Sequence, residues 1–284
     1  MKPWEDVPGL QDDGLVTPSA GDWGERKYRL VELYATIFVN AMREKWDSLV
    51  YIDLFAGAGR ARMSGSAKII PGSPMVVLGL DRSFDRHIFC DSDPERMAAL
   101  RQRVGRDFAG ARCSFLQGDT NGLVDQILEE MPRHSRSHRV LGFCFSDPYG
   151  LKGLHFETIR RLSERFMDHL ILIPTGMDAN RNMATYLNPE NPALDDFLGG
   201  TGWRSRWPDA ERQGTSVGVF LIEEFARAME GLRYHLTNPE DTVAVRSLDK
   251  NLPLYHLAHF SRHKLGAAFW REARKYSTGQ TELF

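Results

Sequence analysis

Cysteine is scarce in this chain: Cys90, Cys113 and Cys144 are the three in 284 residues, and no two of them form a C-x-x-C pair. An odd, scattered set excludes a disulfide framework and gives no zinc-binding pattern. Each lies in an apolar stretch (HIFC, RCSFLQ, LGFCFS), where a small buried hydrophobe is the ordinary role of the residue. Charge of one sign is also missing. The 36 Lys and Arg against 38 Asp and Glu leave a net charge of −2, which excludes a surface that is basic as a whole. No apolar run approaches the roughly 18 residues that a membrane span takes. The start, MKPWEDVPGLQDDG, is acidic and lacks the apolar core of a secretory signal, so a cytoplasmic protein is expected.

What is present is the composition of a globular domain, 42% hydrophobic and 26% charged. Residues 1–22 hold Pro3, Pro8, Gly9, Gly14, Pro18 and Gly21 among acids and read as an irregular arm, ordered only by a partner or by the domain surface. From Trp23 to Trp46, apolar residues at Val31, Tyr34, Ile37, Phe38, Ala41 and Met42 give the spacing of an amphipathic helix. Short apolar runs follow at 49–55, 87–90, 113–117, 139–146 and 169–174, separated by helical patterns near 74–82, 94–106, 121–131 and 155–166. Strands apolar on both faces and alternating with single helices predict an α/β fold with a doubly wound, mostly parallel sheet. Residues 175–215 break this rhythm with Asn, Pro and Gly and read as a loop-rich insertion, a lid or a partner or substrate surface. Beyond it a helix is expected over 217–230, an antiparallel hairpin from 241–247 and 252–261, and a closing helix over 264–276.

The segment Tyr51-Ile52-Asp53-Leu54-Phe55-Ala56-Gly57-Ala58-Gly59 runs an apolar strand into a turn whose glycines accept positive φ and let a ligand reach the backbone. A third glycine of the dinucleotide fingerprint would fall at position 62, which is Arg62, and this speaks against NAD. Asp53, Asp91, Asp119 and Asp147 each follow a predicted strand, and a parallel sheet gathers such residues along its carboxyl edge, where open α/β sheets bind ligands. Each alone is as well explained as a helix cap. Four beside a glycine turn make a site.

This pattern resembles S-adenosylmethionine-dependent methyltransferases of the Rossmann-like class I, whose first strand ends D-x-F-x-G-x-G. The resemblance implies that Asp53, Phe55, Ala56, Gly57 and Gly59 lie at the methionine part of the cofactor, Asp91 at the ribose hydroxyls, and Asp119 with Thr120 at the adenine. Ser146-Asp147-Pro148-Tyr149-Gly150 resembles the D/N-P-P-Y motif of enzymes that methylate exocyclic amines. There the polar side chain and proline carbonyl accept the target N–H bonds and the aromatic ring stacks on the base. Asp147, Pro148 and Tyr149 are the catalytic candidates on that ground. This chain carries one proline where the motif has two, which leaves the acceptor atom open, and a capped turn leading to the helix at His155 is the competing reading.

Trp23, Lys27 and Leu33-Tyr34, with YIDLFAGAGRA, PGSP (71–74), GDTN (118–121), FSDPYG (145–150) and LYHLAHFSRHKLGAAFW (254–270), resemble together the three-Cys-motif partner protein family over about residues 23–272. That resemblance implies a bacterial methyltransferase-like protein working with a separate three-cysteine-motif protein, itself similar to radical-chemistry enzymes. Within PGSP, Ser73 is expected at the helix cap and Pro74 at its first position, with a cofactor contact from the helix start as the alternative, and Lys27 is expected as a solvated charge, with a reach into the site as its alternative.

Basic clusters at 133–139, at Arg160-Arg161 with Arg165, and at Arg262-His263-Lys264 with Arg271, Arg274 and Lys275 read first as solvated faces. If the third borders the DPYG edge, it offers with Tyr149, Trp203 and Trp207 the parts of a nucleic-acid surface. His256 and His259 are an odd number of residues apart in a predicted strand and point to opposite faces, so no structural metal is expected. Three functions compete. Methyl transfer to a nucleic acid or nucleobase-like amine leads, a catalytically silent binding partner with the same fold follows, and Mg-dependent phosphoester hydrolysis through Asp91, Asp93 and Asp147 comes last. The pair in D-x-D phosphatases follows the first core strand, whereas here it follows the second.

Overall fold

The structure, a computed structural model, describes residues 9–21, 23–64, 66, 68–176, 183–235, 238–246 and 253–277. Two compact units emerge, one made of the chain up to Phe145 together with the part from Ala268, the other Ser146–Ala267.

The first unit holds β1 (Ser19–Ala20), α1 (Gly24–Met42), β2 (Ser48–Asp53), β3 (Arg60–Met63), β4 (Ile69–Pro71), α2 (Ser73–Leu78), β5 (Arg86–Asp91), α3 (Pro94–Asp107), β6 (Cys113–Gln117), α4 (Val124–Glu130) and β7 (Val140–Ser146). Every residue of β2 is buried, as a central strand covered on both faces requires. It pairs in parallel with β5 on one side and β7 on the other, with Asp53 opposite Phe89 and Phe145. Strand β6 extends the ladder beyond β5, Asp91 standing opposite Gln117. Helix α3 begins where Asp93 accepts hydrogen bonds from the Glu95 and Arg96 amides and Pro94 supplies a preset first turn. An aromatic core joins α1 to the sheet, with Tyr34 and Phe143 ring centres 4.9 Å apart.

The second unit contains α5 (Phe156–Leu162), β8 (Met167–Ile173), α6 (Ala193–Leu198), α7 (Trp203–Arg212), α8 (Val217–Gly231), β9 (Val243–Arg246) and β10 (Pro253–Phe260); α9 (Lys264–Ser277) closes the described chain. Strand β10 is antiparallel to both β8 and β9. Seven strands thus form a sheet in the order β6-β5-β2-β7-β8-β10-β9. The architecture is the expected α/β one: Rossmann-like, mostly parallel, with an N-terminal helix and an antiparallel C-terminal hairpin. It follows the doubly wound order with one antiparallel strand inserted before the last.

Three expectations are corrected. The arm is not irregular throughout: β1 pairs in parallel with β3, and the Leu10 amide donates to the Ile69 carbonyl at 2.8 Å, so the domain surface orders residues 9–21. The segment 175–215, expected as loop, carries α6 and α7 among its described residues, while 177–182 lie outside them. Trp203 and Trp207 are core residues and offer no stacking surface. Trp203 is 1% exposed and its Nε1 donates to Asp195 Oδ1 at 2.7 Å; Trp207 packs on Phe220. Trp203→Ala is therefore expected to destabilise the protein by about 4 kcal/mol, the usual cost of emptying a buried aromatic site. Urea unfolding followed by circular dichroism measures it, and a loss below about 1 kcal/mol contradicts the packing role.

Candidate cofactor site

The carboxyl edge of the first unit is built by strand register. The Ala56 amide donates to the Cys90 carbonyl at 2.8 Å and Leu54 to Phe145 at 3.1 Å, so the chain leaving β2 is pinned to the ends of both neighbours. Gly57 and Gly59 have φ of 61° and 77°, in the left-handed region that glycine enters at no steric cost. They differ in what surrounds them. A Cβ at Gly59 would lie 2.8 Å from Leu100 Cδ1 and 3.1 Å from Met75 Cγ, whereas at Gly57 it would meet nothing within 4 Å. Gly59 is needed for packing against α2 and α3, and Gly57 faces open space. Gly72, whose amide donates to the Gly59 carbonyl at 2.8 Å, presses the PGSP turn onto the same loop. Gly72, not Ser73, is the cap residue of α2; Ser73 and Pro74 are its first two residues.

Asp91 accepts from the Gly57 amide with Oδ2 at 2.8 Å and from the Asp93 amide with Oδ1 at 2.9 Å. A carboxylate oxygen takes two hydrogen bonds, so both retain a lone pair for a ligand hydroxyl. Asp53 is fully enclosed: Oδ2 accepts from Tyr51 Oη at 3.0 Å and Oδ1 from the Phe55 amide at 3.2 Å. Burial and the Asp53 charge push the Tyr51 hydroxyl well above its ordinary pKa, so it remains a donor. Through the Phe55 amide Asp53 holds the first residues of the turn. Phe55 is half-buried and Ala56 buried in that turn. Beyond β6, exposed Asp119 accepts with Oδ1 from the Asn121 amide at 3.0 Å. Thr120 is buried, and its Oγ1 has no hydrogen-bond partner among the described residues.

Asp53, Phe55, Ala56, Gly57, Gly59, Asp91, Asp119 and Thr120 thus lie on consecutive loops of one sheet edge in one unit. Asp147, Pro148 and Tyr149 follow directly on β7 and open the second unit. Asp147 is half-buried and Pro148 buried, whereas Tyr149 is 74% exposed. His155, the residue before α5, provides no side-chain cap.

Two charged residues of the first unit were misjudged or missed in the sequence. Lys27 is not solvated: it is 3% exposed, with Nζ 4.5 Å from the ring centres of Trp23 and of Tyr28. Arg103 on α3 is wholly buried and reaches the Ala58 carbonyl at 2.6 Å. A signal was available for both. Each sits in phase with the apolar stripe of its helix, Lys27 with Leu30, Val31 and Tyr34, Arg103 with Met97, Leu100 and Val104.

Of the basic clusters, Arg139 pairs with Asp47, Arg160 with Glu157 and Glu164, and Arg262 spans the carbonyls of Ser163, Arg165 and Leu232. These arginines bind the protein itself. Burial raises the Cys90 thiol and pushes Cys113 up to about 11, so both stay protonated and inert at neutral pH. Among the described residues no group of three or more His, Cys, Asp or Glu is placed to hold a metal ion, and no helix is long and apolar enough to cross a membrane.

The fold and its glycine-turn edge define a Rossmann-like α/β domain with a mostly parallel sheet. In overall fold the chain is similar to a Legionella pneumophila protein (12% identity, TM-score 0.49, 88% of this chain and 91% of that one). It is similar also to Trm1 from Pyrococcus horikoshii, solved with S-adenosyl-L-methionine (12% identity, TM-score 0.44, 94% of this chain but 64% of that one, less than two thirds). A third is an O-methyltransferase from Bacillus cereus in complex with S-adenosylhomocysteine (10% identity, TM-score 0.44, 81% and 80%). No family model matches the chain, and no curated protein matches it either.

Proposed function

We propose that the protein is an S-adenosylmethionine-dependent methyltransferase acting on a nucleic acid or nucleobase-like amine, in company with a separate three-cysteine-motif protein. The observation that carries the cofactor assignment is the Gly57 turn: its N–H is fixed on Asp91 and its Cβ-free face is open. The residues fit the group. Asp91 retains acceptor capacity for a pair of vicinal hydroxyls, and the buried Thr120 hydroxyl lacks a partner that an adenine nitrogen or amino group supplies. When bound, S-adenosylmethionine supplies a methyl group already activated by its sulfonium, which leaves alignment and exclusion of water to the protein. In this reading Asp147 and the Pro148 carbonyl accept hydrogen bonds from the target amine, and the exposed ring of Tyr149 stacks on a planar acceptor.

Calorimetric titration with S-adenosylhomocysteine, NAD and ATP tests the cofactor. The homocysteine compound alone is expected to bind, and Tyr149→Ala is expected to keep that binding while losing methyl transfer to oligonucleotides. Absence of binding overturns the enzyme reading and leaves the silent-partner role, which size-exclusion of the mixed proteins then tests.

A further inference from the structure

The buried guanidinium of Arg103 distributes its donors unevenly. Nε donates to Asp13 Oδ2 at 2.9 Å, and Nη2 to Asp13 Oδ1 at 2.6 Å, Thr17 Oγ1 at 2.9 Å and the Leu15 carbonyl at 3.4 Å. Nη1 donates to the Val16 carbonyl at 2.9 Å and to the Ala58 carbonyl at 2.6 Å. One group therefore ties the N-terminal arm to the middle residue of the Gly57-Ala58-Gly59 turn. Leu100, one turn earlier on α3, fills the space a side chain at Gly59 would need.

The arm grips the chain after the turn as well. Arg60, the residue next to Gly59, lies 3.2 Å from Asp13 Oδ2 through Nη1 and donates from the same atom to the Gln11 carbonyl at 3.0 Å. The Arg62 amide donates to the Pro18 carbonyl at 2.8 Å and Ser64 to Ala20 at 2.8 Å, while Leu10 holds the far strand of the β3–β4 hairpin at Ile69. A wholly buried cation keeps its place only while its partners remain. If the arm leaves, Arg103 loses every acceptor named here except Ala58 and is driven toward water, and the turn loses the bond that sets its middle residue.

We propose that residues 9–20 are a strap that positions the cofactor turn, with Arg103 and Asp13 as positioning residues, so that docking of the arm and binding of S-adenosylmethionine favour one another. The inference rests on the cofactor reading above for its ligand, but not for its mechanics. By linkage, whatever factor the docked arm contributes to cofactor affinity, the cofactor returns to arm docking.

The test uses the full-length chain and two readouts. In the absence of ligand, Asp13→Asn is expected to speed hydrogen exchange at the Gly57 to Gly59 amides by at least tenfold while leaving exchange in β8 unchanged. Thr17→Val, which removes a single bond to Arg103, is expected to give a smaller increase at the same amides. With S-adenosylhomocysteine, affinity is expected to fall at least tenfold in Asp13→Asn, and saturating ligand is expected to slow exchange across Leu15 to Ala20 in the unsubstituted protein. Unchanged exchange at the turn in both variants overturns the strap. Faster exchange with undiminished affinity overturns its coupling to the cofactor. If the unsubstituted protein binds no S-adenosylhomocysteine, the cofactor reading fails and the coupling with it, while the ligand-free exchange still decides whether the arm positions the turn.

Discussion

Asp91→Ala is expected to weaken S-adenosylhomocysteine binding by about 100-fold while the chain still folds. The carboxylate does two things at once: it accepts the Gly57 and Asp93 amides at 2.8 and 2.9 Å, and it keeps acceptor capacity on each oxygen. A hydrogen bond to a charged group contributes roughly 1.5–3 kcal/mol, and a hundredfold change in affinity is about 2.7 kcal/mol. On the proposed cofactor reading the substitution removes the acceptors for the ribose hydroxyls, and it also releases the Gly57 N–H, so the turn is no longer held ready. Asp91→Asn is expected to fare little better, because its amide nitrogen is a donor facing one of two backbone donors. Calorimetry measures the affinity and a thermal melt checks folding. An affinity within threefold of the unsubstituted protein removes Asp91 from the site.

Acid is expected to destabilise the protein well before its carboxylates titrate. Burial pushes His87 down to about 4 and both His169 and His259 down to about 3, below the ordinary 6.5 of the side chain. Arg262 adds to the effect at His169, and His169 at His259, while the charge of Asp85 partly opposes it at His87. All three are neutral in the folded state at pH 5. The unfolded chain takes up protons there, so the stability they contribute is complete above pH 6.5 and is lost as pH falls toward 4 and 3. Each group changes stability by about 1.4 kcal/mol per pH unit across that window, or on the order of 4–6 kcal/mol for the three between pH 6.5 and 5. His169 and His259 belong to the second unit, which is therefore expected to unfold first in acid. Urea midpoints at pH 7.5 and 5.0 measure the loss, and His169→Gln, an uncharged replacement able to bond Ser163, is expected to remove about a third of it. Equal midpoints at the two pH values refute the assignment.

Much of the fold was legible because strand and helix periods are local. The expected runs at 113–117 and 139–146 are β6 and, within one residue, β7, and the helix expected over 94–106 is α3 within one residue. The acids at the strand ends could be placed on one edge because parallel strands repeat their direction. The loop-rich reading of 175–215 failed because Asn, Pro and Gly there punctuate short helices instead of replacing them. Ala193–Leu198 ends on Gly199 at a φ of 75°, a helix stop that composition alone reads as coil.

The sequence by itself determined the alternation of strand and helix, the position of the glycine turn and the succession of acids along the sheet edge, all properties of residues a few positions apart. Tertiary structure alone decided which charges are enclosed and what they hold. Arg103 and Asp13 are separated by 90 positions, Arg103 and Ala58 by 45, and no spacing rule links them. A buried charge is tolerated only where several acceptors converge on it, and that convergence exists only once α3, the arm and the glycine turn have come together.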